Sequence, residues 1–232
     1  MLVLVGFQLY RFMYQSDYFQ LQQVDLSGAT DEVREEALAL GGLKTDDPVN
    51  LIQIQPSRMA DRIQDHPKIK SASVQKIYPN QLKIVVEERQ PVAIVASREL
   101  YLIDADRIVL AQLVPGELAE YKLPFISGIQ TAEITLGSEI DKPGLNDVLE
   151  TIAYLSDVDA EFAGQFSEFA LNENREIVAL LLDGLEVRFG RHHPLAKMPE
   201  LELFIKRHQD LRKFEYVDLR FSNQIVYLPK KN

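Results

Sequence analysis

The chain contains no cysteine. That removes disulfides, thiolate metal sites and thiol catalysis together; the absence fits an oxidising compartment without establishing one. Histidine is scarce, with four residues and no HxxxH or HExxH spacing among them, so a catalytic zinc site has few ligands to draw on. Basic charge is outnumbered: 25 Lys and Arg face 35 Asp and Glu, a formal net charge of -10. Nucleic-acid binding needs a basic surface that displaces counterions from phosphates, and a grip on anionic lipid needs one too, so both classes are disfavoured. No apolar run approaches the roughly 20 residues of a spanning helix. A GxSxG nucleophile turn is missing, and Gly41-Gly42 lacks the following Gly-Lys-Ser/Thr that would hold phosphates.

What is present is ordinary globular material, 232 residues of which 46% are hydrophobic and 26% charged, enough for one or two domains. The N-terminus opens on Leu2-Val3-Leu4-Val5-Gly6-Phe7, with Gln8 and Arg11 close behind. No basic segment precedes it and no small-residue cleavage site follows, so it does not read as a signal peptide. Three readings stay open: the tail end of a truncated membrane helix, a tag or start-site artefact, and a short amphipathic element. The rings of Phe7, Tyr10, Phe12, Tyr14, Tyr18 and Phe19 favour the first, because aromatic residues gather where a membrane helix meets water. Packing of those rings on the domain's own surface is the plainer alternative.

Next, Leu21 to Leu26 reads as a strand stopped by Ser27-Gly28. Thr30 or Asp31 can cap a helix whose buried stripe is Val33, Ala37, Leu38 and Leu40, ended by Gly41-Gly42. Pro56 suits the first position of a second helix, with Met59 and Ile63 one turn apart. Residues 66–93 then form a hairpin: an extended segment, a turn at Tyr78-Pro79-Asn80-Gln81, and a return arm with Leu82, Ile84 and Val86 on one face. An isolated hairpin is not stable in water, so the two short helices must cover that face.

Beyond Pro91 the chain runs into Val92 to Val95 without a flexible linker. Leu100 to Ile103 and Ile108 to Leu110 pair across Asp104-Ala105-Asp106-Arg107. Leu145, Val148, Leu149, Ile152 and Leu155 recur at helical spacing. Phe166 to Leu171 and Ile177 to Leu182 follow as strands, and Asp183-Gly184 predicts a tight hairpin leading to Leu185, Val187 and Phe189. Leu195, Met198, Leu201, Ile205 and His208 mark another helix, and Tyr216 to Phe221 begins the terminal strand.

Candidate chemistry is sparse. Adjacent His192 and His193 would point apart on a strand and are read as a loop or helix-entry pair. Glu87 and Glu88 fall on opposite strand faces, and Asp104 and Asp106 lie in a turn; nothing argues for the desolvated pocket a general acid needs. The reading is a non-enzyme without cofactor or metal. The C-terminus remains. Val217, Leu219 and Phe221 alternate with Asp218 and Arg220, Ser222-Asn223 interrupts, and Ile225-Val226-Tyr227-Leu228 precedes Pro229. As the last strand of an open sheet this stretch would offer unpaired main-chain groups to a partner's extended segment; as an inner strand it would not. Asp218 and Arg220 are expected as a surface ion pair worth about 0–1 kcal/mol.

The order His66-Pro67, Ser71 to Val74, Tyr78 to Leu82 and Glu87-Glu88-Arg89-Gln90-Pro91-Val92-Ala93 resembles the end of a POTRA domain as found in the FtsQ/DivIB family of bitopic bacterial cell-division proteins. Leu123 to Gly128, Gly190-Arg191, Lys197 and, most specifically, Tyr216-Val217-Asp218-Leu219-Arg220-Phe221 resemble that family's β-domain. At the turn where the family carries D-x-x-G, Arg107 replaces glycine, which leaves the turn type open. The resemblance implies an α+β chain: residues 1–15 as a membrane-helix remnant and juxtamembrane segment, 16–92 as a POTRA domain of order β-α-α-β-β, and 93–232 as a mixed β-sheet domain with two amphipathic helices. It implies a single-pass inner-membrane protein, its bulk extracytoplasmic at the division septum. There it would scaffold the divisome by recruiting FtsB and FtsL through strand addition at the C-terminal strand, and other divisome members through the POTRA domain. Carried over by position, the docking residues are Tyr216, Asp218, Arg220 and Phe221, followed by Ser222, Asn223, Gln224, Ile225 and Tyr227. The rival is a POTRA-bearing outer-membrane assembly or secretion component that binds unfolded chains; it predicts tandem repeats or a β-barrel tail, and no internal repeat of 20–92 is present.

Overall fold

The structure is a computed structural model and describes residues 1–43, 48–129, 134–191, 193–208, 210–222 and 224–230. It divides into two compact units, Met1–Arg89 and Gln90–Asn232.

The first unit opens with helix α1 (Leu2–Gln15) and a 3-10 turn at Asp17–Phe19, then runs β1 (Gln23–Ser27), α2 (Asp31–Leu40), α3 (Pro56–Gln64), β2 (Ile69–Ile77) and β3 (Gln81–Glu88). After α1 the order is the expected β-α-α-β-β. Strand β3 is central, parallel to β1 and antiparallel to β2. The period-2 face of β3, Leu82, Ile84 and Val86, is buried against Val33 and Ala37 of α2 and Met59 and Ile63 of α3. Each such side chain contributes about 1.5–3 kcal/mol relative to exposure, which is how two short helices stabilise a hairpin that could not stand alone. Details differ from expectation. Leu40 lies on the exposed side of α2, and Thr30, although the N-cap, makes no side-chain capping bond; instead its N–H donates to the Glu88 carboxylate at 2.8 Å. The Tyr78–Pro79 peptide at the hairpin turn is cis.

The second unit contains β4 (Ala93–Ala96), β5 (Leu100–Ile103), β6 (Val109–Leu113), a 3-10 turn at Pro115–Glu120, β7 (Phe125–Ser127), α4 (Leu145–Val158), α5 (Ala160–Ala163), β8 (Phe166–Leu171), β9 (Ile177–Leu181), β10 (Glu186–Gly190), α6 (Pro194–Arg207), a 3-10 turn at Leu211–Lys213, β11 (Phe214–Asp218) and β12 (Val226–Pro229). These strands form one nine-stranded sheet of order β12-β11-β10-β9-β8-β7-β4-β5-β6. Helices α4 and α6 cover one face. Their apolar stripes, Val148, Leu149, Ile152 and Leu155 from α4 and Met198, Leu201 and Phe204 from α6, pack on Val95, Ile126, Phe169, Ala179, Val187, Phe189 and Val217. The opposite face is treated unequally. Over β4, β5 and β6 a second cluster of Ile94, Leu102, Leu110 and Leu113 is covered by Leu118, Tyr121 and Leu123 from the segment after β6. Over β9 to β12, among the described residues, no comparable cover is laid: Leu180, Val226 and Leu228 are exposed there.

The β5–β6 turn answers the question raised by Arg107. Its φ is +66°, the left-handed conformation that glycine adopts at little cost and other residues rarely do. The conformation therefore persists without the glycine, and the side chain is tied down in return. Arg107 Nη1 donates to Asn146 Oδ1 at 2.8 Å and Nε to Glu139 Oε1 at 3.1 Å. Ile108 N–H donates to Asp104 Oδ1 at 2.8 Å.

Candidate partner-docking edge

The terminal stretch is two strands, not one. Strand β11 ends at Asp218 instead of continuing to Phe221, and it is an inner strand, parallel to β10 on one side and antiparallel to β12 on the other. Tyr216 and Asp218 thus sit where both sides of the ladder are already taken by the chain's own backbone, which corrects the expectation that residues from 216 onward form a free margin. The margin is β12. It ends the strand order, and among the described residues no strand pairs with its outer side. The interruption read at Ser222-Asn223 falls between β11 and β12; Asn223 itself lies outside the described residues.

Register shows what each position presents. Leu180, Glu186, Tyr216 and Leu228 lie opposite one another in a row across β9 to β12, and Val178, Arg188, Asp218 and Val226 form a second row beside it. Both rows are on the face without helices. The Arg188 guanidinium sits 3.9 Å from the centroid of the Tyr216 ring, a cation–π contact that leaves Tyr216 half-buried. On the other face Tyr227, opposite Val217, stands over an aromatic group under α6: its ring is 5.3 Å from Phe214, 5.5 Å from Phe204 and 5.6 Å from His208. His208 is the C-terminal cap of α6 and not one of its stripe residues. Val226, Tyr227 and Leu228 are 39%, 45% and 41% exposed. Pro229, which has no N–H, closes the strand in the manner of edge positions.

The loop between the strands is held by residues far apart in sequence. Asp218 is 4% exposed, so its pairing with Arg220 is not the surface ion pair expected. Arg220 Nε and Nη2 grip the carboxylate at 2.9 and 2.7 Å, and Arg220 N–H donates to the same group at 3.0 Å. These bonds, first the side-chain ones, hold the Asp218 carboxyl below the usual carboxylate range, and the Coulomb attraction of Arg220 and Arg188 adds to them. Gly190 explains why a glycine ends β10. Its φ is +68°, and a Cβ there would come within 2.7 Å of Arg220 Cγ. From α6, Lys197 pairs with Glu200 at 3.0 Å and reaches the carbonyl of Phe221 at 3.5 Å. Leu219 N–H donates to Arg188 O at 2.9 Å, carrying the β10 ladder into the loop. Phe221, Ser222 and Gln224 are exposed on this loop, and Ile225 is partly buried against the main core.

The structure therefore gathers Phe221, Ser222, Gln224, Ile225 and Tyr227 on the margin or the loop leading to it, and assigns Asp218 and Arg220 to bracing that loop. Sequence reading passed over Val226, Leu228 and Arg188. The signal for the first two was the unbroken apolar run from Ile225 to Leu228, since a strand with apolar residues on both faces near a chain end has two surfaces to offer. The other chemical candidates stay apart. His193 caps α6 through Nδ1, which accepts from Leu195 N–H, while its Nε2 meets Glu150 at 3.2 Å; His192 lies outside the described residues. Among the described residues no group of three or more His, Cys, Asp or Glu is placed to hold a metal ion.

Comparison with known proteins bears on the family. Residues 19–89 match the POTRA domain, FtsQ-type, and residues 93–220 match Cell division protein FtsQ/DivIB, C-terminal. Cell division protein FtsQ of Geotalea daltonii is 28% identical over 231 residues, covering 95% of this chain and 80% of that protein. Those of Syntrophotalea carbinolica and Mycobacterium tuberculosis are each 28% identical, over 92% and 82% of this chain and 75% and 55% of their own lengths. With both units matched in order, the chain belongs to the FtsQ/DivIB family of cell-division proteins.

Proposed function

We propose that this protein is a non-enzymatic scaffold of the bacterial divisome that captures an FtsB-type partner, with FtsL in the same complex, by strand addition to β12. The observation that carries the reading is the position of β12: it ends a nine-stranded sheet, and its own side chains are exposed on both faces. A visiting strand would continue the ladder through the outward main-chain groups and rest its side chains beside Leu228 on one face and Tyr227 on the other. Phe221, Ser222 and Gln224 would flank its end. Other divisome members would use the POTRA-type unit. In this reading α1 enters the cytoplasmic (inner) membrane and the remainder is extracytoplasmic at the septum. Among the described residues no helix is long and apolar enough to cross a membrane; the support for anchoring is the exposed apolar surface of α1, including Val3, Leu4, Val5, Phe7 and Leu9.

The test is capture of the partner's extracytoplasmic segment by wild-type protein, Leu228→Lys and Phe221→Lys. Both side chains are exposed, so thermal unfolding should be unchanged while capture falls at least tenfold. Undiminished capture by both variants would end the docking hypothesis.

A further inference from the structure

Helix α1 is bonded to the first unit, not merely joined to it by chain. Asn50 Nδ2 donates to the carbonyl of Met13 at 3.1 Å, one of the last carbonyls of the helix and so without an intrahelical donor. Leu51 N–H donates to Phe19 O and Leu21 N–H to Val49 O, both at 2.8 Å. Rings then run without a break from the helix to the tip of the β2–β3 hairpin. Phe12 lies 5.9 Å from Tyr18 and 5.7 Å from Phe19, Tyr18 lies 5.1 Å from Phe19, and Phe19 lies 6.3 Å from Tyr78. The core does not use this surface: Tyr18 and Tyr78 are 58% and 59% exposed, and Ile77 beside Tyr78 is exposed too.

Depth along α1 places these rings. Arg11 is the first charged side chain of the helix, and every residue before it except Gln8 is apolar or aromatic. From Arg11 to Ser16 the helix rises about 8 Å at 1.5 Å per residue. The headgroup layer on each side of a bilayer is of similar thickness, about 5–7 Å. With Arg11 at the hydrocarbon boundary, Phe12 and Tyr14 fall within the headgroup layer and the helix end reaches its outer side, an interface where amphipathic aromatic side chains are favoured; the ring contacts carry Tyr18, Phe19 and Tyr78 on from there.

We propose that the hairpin tip Ile77-Tyr78, together with Tyr18, is a second membrane contact, seated in the headgroup layer beside the point where α1 leaves the bilayer and fixing the first unit's tilt on the membrane surface. The inference rests on the membrane-anchor reading of α1. The ligand is the bilayer interface itself, recognised by aromatic rings and not by charge. The nearest tip cation, Lys76, has its ammonium on the carbonyl of Ile52 at 2.9 Å.

The chain has no tryptophan, so single-tryptophan variants of the full chain report on one site each. Leu9→Trp probes α1, Tyr78→Trp the tip, and Val85→Trp an exposed position on β3 away from the turn. In vesicles of phosphatidylethanolamine with a minor fraction of phosphatidylglycerol, emission of Leu9→Trp and Tyr78→Trp should shift to shorter wavelength. Lipids brominated deep in the acyl chain should quench the first several-fold, and lipids brominated near the glycerol the second; Val85→Trp should behave as in buffer. If Leu9→Trp is quenched and Tyr78→Trp behaves like Val85→Trp, the anchor stands and the second contact is overturned. If Leu9→Trp is not quenched, the anchor reading fails and takes this inference with it. A Tyr78→Trp shift that grows steeply with the phosphatidylglycerol fraction would assign the contact to charge and overturn the aromatic one.

Discussion

The two margins of the nine-stranded sheet are finished differently. At β6 the chain supplies its own cover: Gly137 N–H donates to Val109 O at 2.8 Å, Val109 N–H to Ser138 O at 3.0 Å, and Ile108 bridges Glu139. Ile140, 3% exposed, pins that segment to the main core, and Arg107 ties it at Glu139 and Asn146. At β12, among the described residues, nothing comparable is laid alongside. An exposed ladder is a hazard that proteins cover, shorten or blunt unless pairing is its purpose. The same chain lays a tied-down segment beside Ile108 and Val109 at the start of β6, whereas among the described residues β12 carries only Pro229 as a blunting residue. The contrast supports the proposal that β12 is the docking edge.

The comparison can be broken at four places. The largest effect should come from Phe214→Ala, which removes the ring that Tyr227, Phe204 and His208 pack against. It should cost about 3–5 kcal/mol, read as a lower urea midpoint, and unseat β12 so that capture is lost with stability.

Asp218→Asn comes next, at roughly 1.5–3 kcal/mol for weakened charge-assisted hydrogen bonds. Its signature is the pH dependence. Because the folded carboxyl titrates below its unfolded value of about 3.9, the pair's contribution is present above that value and is lost as pH falls through the depressed folded pKa. Urea midpoints of the wild type should fall across that acid window more steeply than those of Asp218→Asn; parallel curves would show that the pair does not brace the loop.

At the covered margin, Arg107→Ala keeps the left-handed backbone and loses the ties, costing about 1–2 kcal/mol. Arg107→Gly loses the same ties but removes the backbone strain, so it should be less destabilised than the alanine variant. Sedimentation should show self-association of Arg107→Ala if the segment is a cover, and none if it is incidental. The smallest stability effect belongs to Leu228→Lys, within about 0.5 kcal/mol, although its effect on capture should be among the largest.

Much of this was legible from residues alone because it depends on local period and turn chemistry. Alternation in Leu82, Ile84 and Val86, helical spacing in Leu145 to Leu155, and Asp183-Gly184 each state one element without reference to the rest of the chain. Three of the motifs likened to the family, Gly190, Lys197 and the Asp218–Arg220 pair, are scattered in sequence. Only the fold shows them converging on one loop: the glycine makes room for the arginine, the arginine grips the aspartate, and the lysine holds the carbonyl of Phe221. No spacing rule predicts a contact between residues 190 and 220.

The edge was half legible. That a strand near the carboxyl end could be marginal followed from its composition; which strand did not, because Tyr216 and Tyr227 carry equally plausible alternating patterns. Period 2 tells which face a side chain takes and says nothing about lateral order in a sheet.

The amino-acid sequence by itself determined the β-α-α-β-β order of the first unit and the apolar faces of the main helices, since these follow from short-range patterns, and the order of its motifs carried the resemblance to the family. Only the tertiary structure decided that β11 is interior and β12 marginal, that Asp218 is buried, and that Arg107 holds a glycine's conformation. Each of those depends on which distant segment comes to lie alongside, and long-range pairing is chosen by the packing of the whole sheet.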